Sequence, residues 1–333
     1  SMTIPAWVRS PAGLTAVLSF AVGIIGTLAL ALEIGHPFGG YLSYSVALVE
    51  SGQVAVGTPG WWPIYDVEPD FGGDLLTVDG QPYTSNVRAA FAQAKPGDSI
   101  NITFRPDEAA PEESIDVPVL SFSPGHYLDV KLPDLIVAIA FWLLGIVVLK
   151  ADPGRPTNQV FATLLMLIAT HRLLNVHTLF IDNTLLPNVL EMALRVVSAL
   201  IAATAFHFAW LYPSPLPNRP RWLITVYYVL AVILAVALVA ARFTWWPPGM
   251  TVPNQILNTI AFQLLIYLYL GGLLAISLRF IYSTIRENET RRERKILLVT
   301  AFGFVLAMPF LLQLTGEVIP IINQDFYWND LDL

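Results

Sequence analysis

The sequence predicts a membrane α-helical bundle, about seven transmembrane helices in this chain, with an inserted mixed, mostly β domain. Three observations carry that expectation. The 333 residues are 55% hydrophobic and only 13% charged, roughly half the charge of a soluble domain. Seven apolar runs can cross a hydrocarbon core ~30 Å thick. Between the first two runs lies a stretch, residues 50–131, whose charges, prolines and turn residues have no place in lipid.

The runs follow in order. The first covers residues 14–34 and the second 135–149, with Pro133 just before it. The others cover 160–180, 189–211, 222–241, 256–282 and 296–314. Connectors rich in proline or charge separate them: ADPGRPTN, YPSPLPNRPR, WWPPGMTVPN and RENETRRERK. In hydrocarbon a chain satisfies its backbone groups as a helix or a closed barrel, and these runs are too long for barrel strands. The expected domains are 1–49 (N-terminus and first helix), 50–131 (inserted domain), 132–315 (helices two to seven) and 316–333 (tail). The tail, with Tyr327 and Trp328 as an interfacial belt, is expected to lead to a further helix. Ala29-Leu30-Ala31 resembles a signal-peptide cleavage site, but the apolar run exceeds a signal core.

Orientation follows from the cations. Arg9, Lys150, Arg155, Arg219, Arg221, Arg286, Arg291, Arg292, Arg294 and Lys295 share one side, and the opposite short loops carry only Arg242. The positive-inside rule makes that first side cytoplasmic, with residues 50–131 and the tail outside. The chain is expected to cross its membrane several times. The basic run Arg291–Lys295 is expected to anchor on anionic lipid, and nucleic-acid binding is not expected of so short a loop. Cysteine is absent, which removes disulfides, thiolate metal sites and cysteine nucleophiles.

Within the inserted stretch, Asp79-Gly80 is a hairpin signal, and Ile100, Ile102 and Phe104 alternate as in a half-buried strand. Asn86 caps a short helix whose stripe is Val87, Ala90, Phe91 and Ala94. Pro96-Gly97 ends it, and Ile115, Val117, Val119 and Phe122 suggest a last strand.

The runs GDLLTVDG (73–80) and GDSINITFR (97–105) resemble the bacterial PDZ pattern of strand, helix and strand. The wider layout adds a first helix, an external PDZ-like domain, and further helices containing FHFAWLYPSPLPNRPRW. It resembles the N-terminal membrane sensor region of ComP-type bacterial sensor histidine kinases. That resemblance implies a bacterial inner membrane as the location and a sensory input module for an extracytoplasmic peptide or small-molecule signal. In such proteins a cytoplasmic kinase follows, and a homodimer is a further expectation. None of the kinase motifs lies in this chain, so no catalytic residue is assigned. PDZ folds bind extended peptides at a sheet edge. The groove is expected to be lined by Trp61, Trp62, Val87 and Phe91, in place of a GLGF-like carboxylate loop. A structural spacer is the plainer alternative.

Ionisable groups inside a membrane are costly and face the bundle interior. His171, Arg172, Asn175 and His177 on the third helix, with Glu191 and Arg195 on the fourth, form the expected polar cluster. Counting from Thr184 pairs His177 with Glu191 at one depth and Arg172 with Arg195 ~8 Å deeper. The pair suits a response to external acidity, and the arginines suit an anion. The plainer reading is that the groups fix helix packing. His207, among aromatics, is expected to pack. His171 and His177 are six residues apart and point away from each other. With no HExxH, GxSxG or phosphate loop, no metal and no cofactor are expected. An extracytoplasmic PDZ-type scaffold and a membrane transport component are the competing functions.

Overall fold

The computed structural model describes residues 10–38, 74–82, 93–105, 111–174, 185–212, 221–243 and 252–286. The seventh apolar run, the basic run Arg291–Lys295 and the tail 316–333 lie outside the described residues. The fold is mostly helical, with a small sheet region. Its helices are α1 Pro11–Ala31, α2 Pro124–Ala151, α3 Pro156–Leu173, α4 Leu185–Leu211, α5 Arg221–Phe243 and α6 Val252–Arg286. Among the described residues five helices, all but α3, are long and apolar enough to cross a membrane. Helix α3 has 18 residues and carries Thr157, Asn158, Gln159, Thr163, Thr170, His171 and Arg172. Much of it is buried, including Ala162, Leu164 to Leu167 and Ala169. A helix sheathed by others needs less hydrophobicity than one facing lipid, which is why composition singles it out.

Helix starts follow local chemistry. Ser10 caps α1 by accepting the Gly13 amide at 3.0 Å, and Pro11 occupies the first turn, where its missing N–H costs nothing. Helix α2 begins in the same way at Ser123-Pro124. The Ser123 hydroxyl accepts the His126 amide at 3.2 Å, and His126 Nδ1 accepts the Ser123 amide at 3.1 Å. This is a reciprocal capping box with histidine in the usual acidic place. The helix therefore starts well before residue 135 and runs through Pro133. Its 28 residues span ~42 Å, more than the ~30 Å core requires.

The described residues belong to two compact units. In one, which holds residues 142–168 and everything described from 195 onward, α4 is the central helix. Leu164 and Leu167 of α3 pack with Ile201, Ala205 and Phe208 of α4 and with Ile276 and Phe280 of α6. Ala199, Ala202 and Ala203 of α4 pack with α5 and α6 around Leu234, Leu238, Leu265 and Leu268. The alanines let backbones approach closely, the usual way helices associate where lipid removes the hydrophobic drive. Gly272 continues that logic: a Cβ there would lie 2.7 Å from the Ala202 carbonyl oxygen. The outward faces stay apolar, with Val232 and Val236 more than half exposed, as a hydrocarbon surround demands.

The other unit, residues 18–141 and 169–194, holds the sheet. Strands β2 Asp74–Val78, β3 Gln81–Pro82, β4 Ser99–Arg105 and β5 Glu113–Pro118 form an antiparallel sheet in the order β3-β2-β4-β5. Asp79 and Gly80 both have positive φ, 50° and 72°, the two-residue turn whose twist suits a hairpin. Val78, Ile100, Ile102 and Val117 are buried. The opposite face is a polar ladder: Asn101 Nδ2 donates to Asp116 Oδ1 at 2.8 Å, and Thr103 faces Ser114 at 2.9 Å. The short helix expected at 87–94 lies almost wholly outside the described residues.

Two further short strands are present: Pro37–Phe38 has no counterpart in the sequence analysis, whereas Leu120–Ser121 falls within the last strand expected from Ile115 to Phe122. Strand β1 Pro37–Phe38 pairs antiparallel with β6 Leu120–Ser121, closing the insertion at its foot. Below it Gly26 of α1 faces the chain of Leu173, and a Cβ on Gly26 would lie 2.6 Å from the Leu173 carbonyl oxygen. Backbone cannot give way as a flexible side chain can. Gly272→Val and Gly26→Val should each cost on the order of 1–3 kcal/mol, read as a lower thermal midpoint in detergent. Gly154→Ala, whose Cβ would meet nothing nearer than 3.6 Å, should leave the midpoint unchanged.

Candidate functional site

The foot of the insertion is a joint built from both flanking helices. Helix α1 ends at Ala31 and the chain turns through residues 32–35, so Glu33 lies beyond the span rather than inside it. The Gly35 amide donates to the Phe122 carbonyl at 2.8 Å, and the Phe122 amide donates to the His36 carbonyl at 2.9 Å. These bonds extend the β1–β6 pairing into the turn that follows α1. Side chains seal it. Phe38 and Phe122 are fully buried and meet edge to face at 5.3 Å. His126 lies 5.1 Å from Phe38 and stacks on Phe122 at 6.0 Å. Leu30, Leu120, Tyr127 and Val130 complete the cluster, and the Tyr127 hydroxyl donates to the Thr27 carbonyl at 3.3 Å. The joint thus ties the last turns of α1 to the first turns of α2.

A charged group lies farther along α2. Arg172 Nη1, at the end of α3, is 3.9 Å from Asp134 Oδ1 of α2. Lys131, three residues before Asp134 and so on the same helix face, is wholly buried and engaged by neighbours. Two cations surround one carboxylate. In the same unit Ser19 of α1 and Thr170 of α3 share a hydroxyl–hydroxyl hydrogen bond, so α1, α2 and α3 meet through polar contacts as well as apolar ones.

The expected site residues are distributed unevenly over this frame. His171 and Arg172 occupy the last turn of α3, and Arg172 takes Asp134 as its partner. Glu191 is buried near the start of α4 and has a polar or charged partner, as does Arg195 one turn on. Asn175 and His177 lie outside the described residues, as do Trp61, Trp62, Val87 and Phe91. His207 Nδ1 is 3.3 Å from the Tyr228 hydroxyl, with the rings edge to face at 5.8 Å, the packing role its neighbours suggested. Among the described residues no group of three or more His, Cys, Asp or Glu side chains could hold a metal ion.

Sequence reasoning missed Asp134, Lys131 and the joint. The signal for the first two was present: Ser123-Pro124 is a helix start, and it brings residues 131 and 134 into a helix. The joint left little to read, because two-residue strands have no periodicity. No family model, curated protein or solved structure matches this chain.

Asp134→Asn should lower the thermal midpoint by leaving Arg172 and Lys131 uncompensated. Adding Arg172→Gln to it should recover part of the loss, a coupling on the order of 1 kcal/mol. Strictly additive losses would show that the contact contributes nothing.

Proposed function

We propose that this chain is the membrane sensory input module of a signal-transduction protein, of the kind found in ComP-type sensor histidine kinases. In this reading all seven apolar runs cross a bacterial inner membrane. The N-terminus is cytoplasmic and the inserted domain, PDZ-like, lies outside. A peptide or small molecule binds that domain, and the change passes through α1 and α2 to a cytoplasmic output. The antiparallel β3-β2-β4-β5 sheet with its Asp79-Gly80 hairpin is compatible with a PDZ-like domain, in which an open sheet edge accepts an extended peptide.

The observation that carries the reading is the joint. A flexible tether would suit a scaffold that only recruits a partner. Here instead the chain enters and leaves the insertion through one hydrogen-bonded ladder fused to the ends of two helices. A displacement at the sheet's foot has little slack to absorb it before it reaches both helices. A ligand acts on such a device by binding two arrangements unequally.

The test uses the absence of cysteine. Spin labels on Leu14→Cys and Val147→Cys, two exposed positions of α1 and α2, report distance in nanodiscs as a pool of short peptides with free C-termini is added. Binding should shift the distance distribution. Peptide binding with an unchanged distribution would contradict the sensory reading and favour the scaffold.

A further inference from the structure

The turn beneath the joint holds an ionisable group of unusual placement. The Glu33 side chain is 12% exposed, and its Oε2 is buried without a hydrogen-bond partner. An ionised oxygen in that position loses water and gains no donor. The position also follows the C-terminal end of α1, where the helix dipole is negative and disfavours an anion. One nearby group acts the other way. His36 Nδ1 is 3.9 Å from Glu33 Oε2 and 3.2 Å from the Glu33 carbonyl oxygen. A carbonyl only accepts, so the shorter contact requires the proton on Nδ1.

We propose that Glu33 is a proton-binding site through which the pH on the sheet-bearing side acts on the joint between α1 and α2. Protonated, Glu33 stays buried and the joint is closed. Ionised, it draws toward His36 and water and loosens residues 32–36. His36 gives its carbonyl, and Gly35 its amide, to Phe122, so the turn cannot move without straining those bonds. The proposal deepens the sensory reading, and rests on it only in treating the proton as an input.

Burial raises the Glu33 carboxyl from 4.5 to about 7, with the His36 charge opposing. The folded chain therefore holds this proton more tightly than the unfolded chain. Its stabilising contribution is complete below about 4.5 and is lost as the pH rises through about 7.

Other titratable groups surround the joint. On the same turn there is His36. On α2 there are His126, Tyr127, Asp129 and Lys131, all held in interactions. His126 Nδ1 accepts the Ser123 amide at the start of α2, so a His126→Gln variant separates the contribution of that cap from the contribution of Glu33.

The experiment places spin labels across the joint on Leu32→Cys and Leu128→Cys, both exposed, in the whole chain in nanodiscs. From about pH 5 to about pH 8 the distance distribution should broaden toward longer values. Glu33→Gln should hold it short throughout, and His126→Gln should keep the parent response. An unchanged parent distribution, or a Glu33→Gln variant that responds like the parent, overturns the proposal. If Glu33→Gln does not fold, the parent's thermal midpoint decides: it must fall over that range, and a flat or rising midpoint overturns the proposal. A flat pH response with the peptide-induced shift intact removes only the proton site. The reverse result removes only the sensory reading.

Discussion

The backbone pairing at the foot of the insertion is the constraint on which the rest depends. An excursion of this length must leave one helix and return to the next with its polar groups satisfied. The ladder of Pro37–Phe38 with Leu120–Ser121 does so, and the Gly35–Phe122 and Phe122–His36 bonds carry it into the turn that follows α1. Because the cap of α2 begins at Ser123, directly after the ladder, the start of that helix inherits its position from the same bonds. Phe38, Phe122 and His126 then close the joint against water.

Elsewhere in each unit, helices are held by a different means. Lipid gives no hydrophobic reward for bringing helices together, so small residues and polar contacts do it. Gly26 against Leu173, Gly272 against Ala202 and the alanine stripe of α4 are the close approaches. Ser19 with Thr170 and Arg172 with Asp134 are the polar ones. Polar contacts of this kind fix which faces meet.

Much of this was legible in the sequence, and the exceptions have physical reasons. Apolar runs located the five described helices that are long and apolar enough to cross a membrane, because lipid-facing positions tolerate little else. The Asp79-Gly80 hairpin and the alternation at Ile100 and Ile102 were readable because each is a local rule. The start of α2 was misplaced because Pro133 reads as a breaker, while Ser123-Pro124, the true start, sits ten residues earlier. That error hid Lys131 and Asp134, the latter the partner of Arg172. Counting residues from Thr184 could pair levels on α3 and α4 but could not show that α2 supplies the counter-charge. Glu33 was counted inside the first span because its neighbours Leu32 and Ile34 are apolar. Only the end of α1 at Ala31 reveals it as a carboxylate tucked beneath a turn.

The central claim is that sheet, joint and helix ends form one cooperative structure. Hydrogen exchange on the whole chain in nanodiscs, with Phe38→Ala as the perturbation, tests it most directly. The claim predicts that the amides of Gly35, residues 119–122, strand β4 and the first turns of α2 lose protection together. Loss confined to residues 36–38, with β4 and α2 as protected as before, would contradict it.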